Sequence, residues 1–158
     1  MNYTELSKEV SYDNFFKDDG RDIYDFQNKF LVKCKICGNC ATIIAIPKYE
    51  GSYFVYKERR FLCTGCGKIE IKSVMNGIGS KYPLWLETNC CGHKLWVYNL
   101  EHLNYIESFV RANIRENYYD ERIGWKNQSL ASRLPKWMKK SSNREAILRS
   151  IGILKRRI

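Results

Sequence analysis

Seven cysteines are the residues of this 158-residue chain with the clearest chemistry. Two units, Cys34-Lys35-Ile36-Cys37-Gly38 and Cys63-Thr64-Gly65-Cys66-Gly67, repeat the pattern C-x-x-C-G with 25 residues between them in the interval 38–62. Two thiolates on one tight turn can face a single ion, and the glycine after the second supplies the positive φ that the turn needs. A tetrahedral Zn²⁺ takes four such thiolates at about 2.3 Å. The ligands predicted for one structural zinc ion are Cys34, Cys37, Cys63 and Cys66.

Other uses of the cysteines are less consistent with the pattern. An odd number of cysteines in a chain without signs of export disfavours a disulfide framework, while redox-active or merely buried thiols stay open as an alternative. Cys40 extends the first unit to C-x-x-C-x-x-C, the opening of a bacterial ferredoxin motif. That motif needs a further cysteine and a proline where Ile44 and Ala45 stand. We therefore interpret Cys40 as a small apolar residue entering a strand.

A third unit, Thr88-Asn89-Cys90-Cys91-Gly92, keeps the Cys-Gly end of the pattern but has threonine at the first ligand position. We interpret it as a third knuckle that holds no metal. The alternative is a second ion on Cys90, Cys91, His93 and Cys40, which is disfavoured because adjacent side chains of a strand point to opposite faces. Cys90, Cys91 and His93 are the only candidates for catalysis, because four thiolates make a closed zinc site. The sequence therefore does not predict an enzyme.

The elements that position these units are predicted from β-branched and aromatic runs. The predicted strands cover 30–32, 41–46, 53–56, 60–62, 69–74, 84–87 and 94–98. They indicate an antiparallel zinc ribbon-type β-unit of about three hairpins over residues 30–99, preceded by an arm or short helix at 1–29. Trp85 and Trp96 are interpreted as cross-strand core aromatics, with an exposed platform for stacking bases as the alternative.

The third region, residues 100–158, is predicted to be helical. Asn99 can cap a helix over 100–118, and an apolar face recurs along it at Leu103, Ile106, Val110 and Ile114. His102, in its first turn, is expected at the surface.

Two further helices are predicted beyond residue 128. Ser129 can cap a short helix in which Pro135 marks a kink or a second start. Ser142-Asn143-Arg144-Glu145 matches a capping box and opens a last helix with Ile147, Ile151 and Leu154 on one face. The predicted fold class is α+β, with the β-unit followed by about three helices, of which the last two are basic.

The charge of +10 is unevenly distributed along the chain. Residues 126–158 carry 10 basic and 1 acidic side chains, a net charge of +9, and residues 34–99 carry a net charge of +5. We therefore predict a zinc-stabilised nucleic-acid-binding protein, for DNA or RNA, whose basic helices contact phosphates. Lys57, Arg59 and Arg60 could extend the contact surface. The predicted phosphate contacts are Lys136, Lys139, Lys140, Arg144, Arg149, Arg156 and Arg157.

The alternative is a protein-interaction adaptor or regulator whose basic surface docks on an acidic partner protein. The longest aliphatic run, Ile43-Ile44-Ala45-Ile46, is far shorter than the roughly 20 residues that span a bilayer. The first residues lack a basic start and an apolar stretch, so no signal peptide is expected. We expect a cytoplasmic protein with no membrane partner.

The two C-x-x-C-G units resemble the zinc ribbons of transcription factors and other nucleic-acid proteins over residues 30–74. The stretch 83–115, with Cys90-Cys91-Gly92-His93, is similar to a family of small bacterial zinc-ribbon proteins of unassigned function. The stretch 130–147, with Ser132-Arg133-Leu134-Pro135-Lys136-Trp137, is similar to the same group. These resemblances imply the architecture and the metal, and they imply a bacterial origin, but no mechanism.

Overall fold

The computed structural model describes residues 14–50, 53–72 and 82–158, without the side chains of 47–50, 53–58 and 72. Three parts of the predictions lie outside the described residues: positions 1–13 of the arm predicted over 1–29, the end of the predicted strand at 73–74, and the Lys57 side chain. The strands in chain order are β1 (Phe15–Lys17), β2 (Lys29–Lys33), β3 (Cys40–Glu50), β4 (Tyr53–Leu62), β5 (Ile69–Lys72), β6 (Leu86–Cys90), β7 (His93–Val97), β8 (Ile114–Glu116), β9 (Tyr119–Asp120) and β10 (Gly124–Trp125). The helices are α1 (Leu100–Arg111), α2 (Leu130–Arg133), α3 (Lys136–Lys139) and α4 (Arg144–Lys155), with 3₁₀ helices at Ile23–Phe26 and Ser141–Asn143.

The largest sheet has four antiparallel strands in the order β2-β3-β4-β5. Its pairing keeps the alternation of the sequence, because Phe30, Ile43 and Phe61 lie opposite one another and all three are buried. Together with Val32 and Leu84 they form one hydrophobic core beneath the sheet. The α+β class and the antiparallel pairing that the sequence predicted are therefore confirmed.

Strand β2 joins this sheet to the rest of the molecule. On its outer edge the Leu31 N–H donates to the Tyr98 carbonyl at 2.8 Å, and the Leu31 carbonyl accepts from the Trp85 N–H at 2.9 Å. The Lys33 N–H donates to the Pro83 carbonyl at 2.8 Å. The Leu31 side chain belongs to a second and larger core. One short strand thus supports two cores.

The third cysteine unit forms a hairpin whose turn differs from the predicted knuckle. Strands β6 and β7 pair without interruption from Leu86 opposite Val97 to Cys90 opposite His93. The two-residue turn is Cys91-Gly92, with φ of 53° and 75°. Positive φ at both positions is what a tight primed hairpin turn requires. The strand pairing therefore continues up to the two turn residues, and this hairpin has no longer loop that could present two metal ligands on one side.

Helix α1 begins where predicted but ends earlier. The Asn99 side chain accepts from the His102 N–H at 2.9 Å, which confirms the predicted cap. The helix ends at Arg111, because Ala112 takes an extended conformation and the chain continues into β8. Strand β8 pairs in parallel with β1. Ile114 is 57% exposed, so its predicted place on the apolar helix face is wrong.

The last helices also follow the sequence in part. Ser129 caps α2 by accepting from the Ser132 N–H, and Pro135 marks a second start at α3. The predicted capping box before α4 is wrong: a short 3₁₀ helix leads directly into α4, and Asn143 at its start makes no side-chain cap. Such continuity satisfies the first N–H groups of α4 without a side chain.

The larger core is built from three distant parts of the chain. Helices α1 and α4 pack against one another and on the β6–β7 hairpin, and the segment around Phe16 and Phe26 closes the remaining side. Phe16 makes edge-to-face contacts with Tyr105 and Phe109 at 5.3 Å between ring centroids. Fully buried members are Phe26, Leu86, Leu95, Leu103, Ile147, Ile151 and Leu154. In the part of the chain that the structure describes, the helices are too short or too polar to cross a membrane.

Candidate metal centre and cationic surface

The two C-x-x-C-G units form turns of the same geometry. In the first, the Cys34 N–H donates to the Asn39 carbonyl at 2.8 Å and the Gly38 N–H donates to the Cys34 carbonyl at 2.9 Å. The second repeats this pattern from Cys63 to Lys68 with matching distances of 2.9 and 2.8 Å. Gly38 and Gly67 both have φ of 74°, as the sequence predicted. Each turn therefore presents two sulfur atoms on one side of a fixed backbone.

The four sulfur atoms form one compact cluster. The distance is 3.7 Å between the sulfurs of Cys34 and Cys66, 3.4 Å between those of Cys37 and Cys63, and all four lie within 4.8 Å of one another. Four ligands at about 2.3 Å around a tetrahedral zinc ion are separated by about 3.8 Å. The donor set and its spacing could therefore hold a metal ion, as the sequence predicted.

The charge state of these thiols also depends on their surroundings. The backbone N–H groups of Cys37 and Ile36 point at the Cys34 sulfur and lower the pKa of that thiol to about 6. The Asn39 N–H acts in the same way on Cys37, but the Cys63 sulfur, burial and the remaining sulfurs together raise the pKa of Cys37 to about 11. Four thiolates at this distance repel one another, so a bound cation favours the fully ionised set.

The position of the cluster indicates what a metal ion would connect. Cys34 follows β2 and Cys37 precedes β3, while Cys63 follows β4 and Cys66 precedes β5. The two turns lie at the same end of the sheet, and the Cys34 and Cys63 side chains belong to the core beneath it. An ion at this point would tie the β2–β3 hairpin to the β4–β5 hairpin.

Among the residues that the structure describes, the remaining cysteines form no group with a third metal-ligating side chain. Cys40 is the first residue of β3 and packs on the larger core, so its interpretation as an apolar residue entering a strand is confirmed. The Cys90 and Cys91 sulfurs are 3.6 Å apart, but the His93 ring stacks on Trp137 with centroids at 5.0 Å. Among the described residues, the cluster of three or more close metal-ligating groups is the one formed by the four cysteines of the two knuckles.

The predicted phosphate-contacting side chains fall into two groups. Lys139 donates to the Ser132 carbonyl at 2.7 Å, Arg144 donates to Asn113 and to a backbone carbonyl, and Arg157 donates to the Glu87 carbonyl at 2.9 Å. These three side chains therefore make hydrogen bonds within the fold. The others lie outward and are exposed: Lys136, Lys140, Arg149 and Arg156.

The outward group is nearly free of counter-charges. Arg149 forms a surface pair with Glu145 at 3.7 Å, one helical turn away. Within the described part of the chain, Lys136, Lys140 and Arg156 make no ion pair. Of the residues that were expected to extend this surface, Arg60 is exposed on the four-stranded sheet, whereas Arg59 donates to the Gln27 carbonyl at 3.0 Å and covers the Phe30 ring.

His102 is a second residue, after Ile114, whose predicted position is wrong. It is 2% exposed rather than on the surface, and its ring stacks on Phe26 with centroids at 5.0 Å. Burial lowers the pKa of His102 to about 4, so the ring is neutral near pH 7. No local signal marks it as buried, because its partner Phe26 lies 76 positions earlier in the chain.

No protein family, no curated protein and no solved structure matches the chain.

Proposed function

We propose that this chain is a zinc ribbon-type protein in which one structural Zn²⁺ orders the four-stranded sheet, and that it binds nucleic acid through its cationic C-terminal surface. The observation that carries the proposal is the surface itself. Lys136, Lys140 and Arg156 are exposed, and they lie in a segment with 10 basic and 1 acidic side chains. Exposed cations that form no ion pair within the described part of the chain are available to phosphate groups.

Zinc is the metal that the site favours chemically. Soft thiolate ligands in a tetrahedral arrangement select zinc or iron–sulfur chemistry. The cluster lacks the additional cysteine of the ferredoxin pattern, and its four sulfurs lie close enough to surround one ion. A site with four protein ligands has no open position for a substrate, so the role proposed for the ion is structural.

The proposed nucleic-acid surface is smaller than the sequence suggested. Lys139, Arg144 and Arg157 make contacts within the fold, so their release to a phosphate would cost those contacts. Lys136, Lys140 and Arg156 have no such cost, and Arg149 has a weak exposed partner. Each cation that neutralises a phosphate of duplex DNA releases counterions. The logarithm of the binding constant therefore falls with the logarithm of the salt concentration, with a slope of about −0.9 per contact.

The test is a salt titration of binding to fluorescent duplex DNA, single-stranded DNA and RNA. The wild-type chain is compared with the triple variant Lys136→Gln/Lys140→Gln/Arg156→Gln. In the variant we expect the magnitude of this slope to be smaller by about 2 to 3 than in the wild-type chain. We also expect it to bind about tenfold more weakly, or weaker still, at moderate salt. A control with the same loss of charge at exposed positions outside residues 126–158 is Lys17→Gln/Lys33→Gln/Arg122→Gln.

The control variant distinguishes binding by a defined cationic surface from a general effect of the net charge on affinity. If both triple variants lose the same affinity, the cations of the C-terminal segment form no defined surface. If the wild-type chain binds none of the three nucleic acids with a measurable salt slope, the nucleic-acid proposal is wrong. The preferred form among the three identifies the class of nucleic acid.

A second candidate function, a protein-docking adaptor, is favoured by an apolar patch on the outer face of the large sheet. Ile44, Ile69 and Ile71 are 38%, 64% and 62% exposed. Arg60 lies between Ile44 and Ile71 in the strand register. An acidic partner with an apolar centre would fit this face. Its signature is a saturable 1:1 complex that Ile71→Glu abolishes and that the Lys136→Gln/Lys140→Gln/Arg156→Gln variant retains.

A further inference from the structure

A cavity of about 300 Å³ lies on the side of the molecule formed by β7, α1 and the α2–α3 segment. It belongs to the larger core, and none of the four clustered cysteines lines it. Its volume is at the lower end of the range for small-molecule sites, which suits one or two fused rings. Its lining residues include Leu95, Trp96, His102, Ile106, Leu134 and Trp137, with Lys94 and Arg133.

Two tryptophans give the cavity flat apolar walls. Trp96 is 39% exposed although it lines the cavity, so its ring is available to a ligand. Trp137 is held in place by stacking on His93, with the two rings inclined by 10°. Aromatic walls of this kind favour a planar ligand, because offset-stacked and edge-on ring contacts contribute beyond the area that they bury.

His102 adds one polar group to the cavity. Its Nδ1 accepts from the Tyr98 N–H at 3.3 Å, so the neutral ring carries its proton on Nε2. Among the described residues no acceptor for that Nε2–H is present. The ring is buried, lines the cavity and is held by the Phe26 stack. The Nε2 atom itself is not fully buried, so an acceptor atom of a ligand in the cavity can reach it.

Two cations complete the lining. The Lys94 side chain is 60% exposed and lies 3.4 Å from a Glu87 oxygen, a weak pair in water. Arg133 is exposed and donates to the Gln128 side chain, a neutral partner. Neither cation is saturated by counter-charge, and both line the same cavity. An anionic group on a ligand would therefore be attracted to this side.

We propose that this cavity binds a small planar aromatic compound that bears an anionic group. Its ring system lies against Trp96 and Trp137, an acceptor atom meets the His102 Nε2–H, and the anionic group meets Lys94 and Arg133. Both an aromatic carboxylate and a mononucleotide have this chemistry. The proposal is independent of the nucleic-acid surface, because none of Lys136, Lys140 and Arg156 lines the cavity.

The test uses the four tryptophan indole N–H signals in ¹H–¹⁵N NMR spectra of the zinc-loaded full chain, assigned through single Trp→Phe variants. Indole-3-acetate and adenosine 5′-monophosphate are the two anionic probes, with neutral indole and acetate as controls. We expect one or both anionic probes to shift the Trp96 and Trp137 signals in a saturable way. The signal of Trp125, which is 71% exposed and does not line the cavity, should stay in place.

Variants of the two surface cations test the anionic part. Lys94→Gln/Arg133→Gln should weaken the anionic probe by about tenfold or more and leave the affinity for neutral indole unchanged. Arg122→Gln, an exposed cation away from the cavity, should change neither. His102→Phe keeps a stacked ring but removes the donor. It should weaken adenosine 5′-monophosphate, whose ring nitrogens accept hydrogen bonds, and leave the affinity for neutral indole, which has no acceptor, unchanged.

The results that would overturn the proposal are equally specific. If neither anionic probe shifts the Trp96 and Trp137 signals at millimolar concentration, the proposed ligand site is excluded. Neutral indole binding as tightly as indole-3-acetate, or affinity for the anionic probes unchanged in Lys94→Gln/Arg133→Gln, would exclude the anionic ligand class. Since both cations are on the surface, this variant folds even if His102→Phe does not, and the proposal stays testable.

Discussion

At the scale of single residues, Asn99 connects more of the molecule than any cap needs to. Its Oδ1 accepts from the His102 N–H at 2.9 Å, and its Nδ2 donates to the carbonyls of Phe26 at 2.8 Å and Lys29 at 2.7 Å. The residue is 4% exposed. One amide therefore ties the start of α1 to the end of the 3₁₀ helix and the start of β2.

Asn99→Ala should lower the free energy of unfolding by about 3 kcal/mol. The loss of a cap costs about 1 kcal/mol, and each buried carbonyl left without a donor costs about 1 kcal/mol or more. Asn99→Asp keeps the capping oxygen and loses both donors, so it should be destabilised to a similar degree. Urea unfolding of both variants measures this, with the exposed Asn127→Ala as control. A stable Asn99→Asp would mean that only the cap matters.

The same residue marks the limit of sequence-based prediction. Its capping role was predictable, because an asparagine directly before an apolar periodic segment favours a helix start. Its two other contacts were not predictable, since they join positions about 70 residues apart. His102 was misplaced for the same reason. The four cysteine ligands were predictable because both partners of each knuckle lie within one turn.

At the scale of elements, the periodicity of the sequence identified strands and helices better than their ends. The apolar spacing of α1 continues through Ile114, yet the helix stops at Arg111 because β8 pairs with β1. That parallel pair depends on residues 99 positions apart. The cavity was not predictable either, since it joins Trp96 of β7 to Leu134 and Trp137, which lie about 40 positions later in the chain.

The metal centre leads to a prediction about these elements. In the proposed zinc-bound protein, removing the ion with a chelator, or making Cys63→Ser, should open the sheet β2–β5 before the larger core, because an ion on the four cysteines would join its two hairpins at one end. Metal binding of this kind supplies folding free energy. We expect amide hydrogen exchange to accelerate in β2–β5 while α1 and α4 stay protected. Cys91→Ser, at the β6–β7 turn, is the control and should leave exchange and zinc content unchanged.

Two results would contradict this prediction. An apo-protein with unchanged exchange in β2–β5 would mean that the ion contributes nothing to the sheet. Equal loss of protection in α1 and α4 would mean that the two cores unfold as one unit. In that case strand β2 and Tyr98, which packs against both cores, couple them more strongly than we expect.

At the scale of the whole molecule, the C-terminal segment carries both the charge and a large part of the core. Its outward face holds most of the excess cations, while Ile147, Ile151 and Leu154 on its inner face are fully buried against α1 and the β6–β7 hairpin. Deleting this segment would therefore remove both its charge and part of the core. Substitutions at its exposed positions remove the charge alone.

A chain ending at Gln128 should therefore fail to fold. Losing each fully buried Ile or Leu to alanine costs about 2 to 5 kcal/mol, and a whole domain has about 5 to 15 kcal/mol of stability. The truncated chain should show no cooperative thermal transition by circular dichroism and should be rapidly proteolysed. The variant Lys136→Gln/Lys140→Gln/Arg156→Gln should melt within a few degrees of wild type. A truncated chain that melts cooperatively would show that the sheet and α1 form a stable unit without α4, and deletion would then become a valid test of the cationic surface.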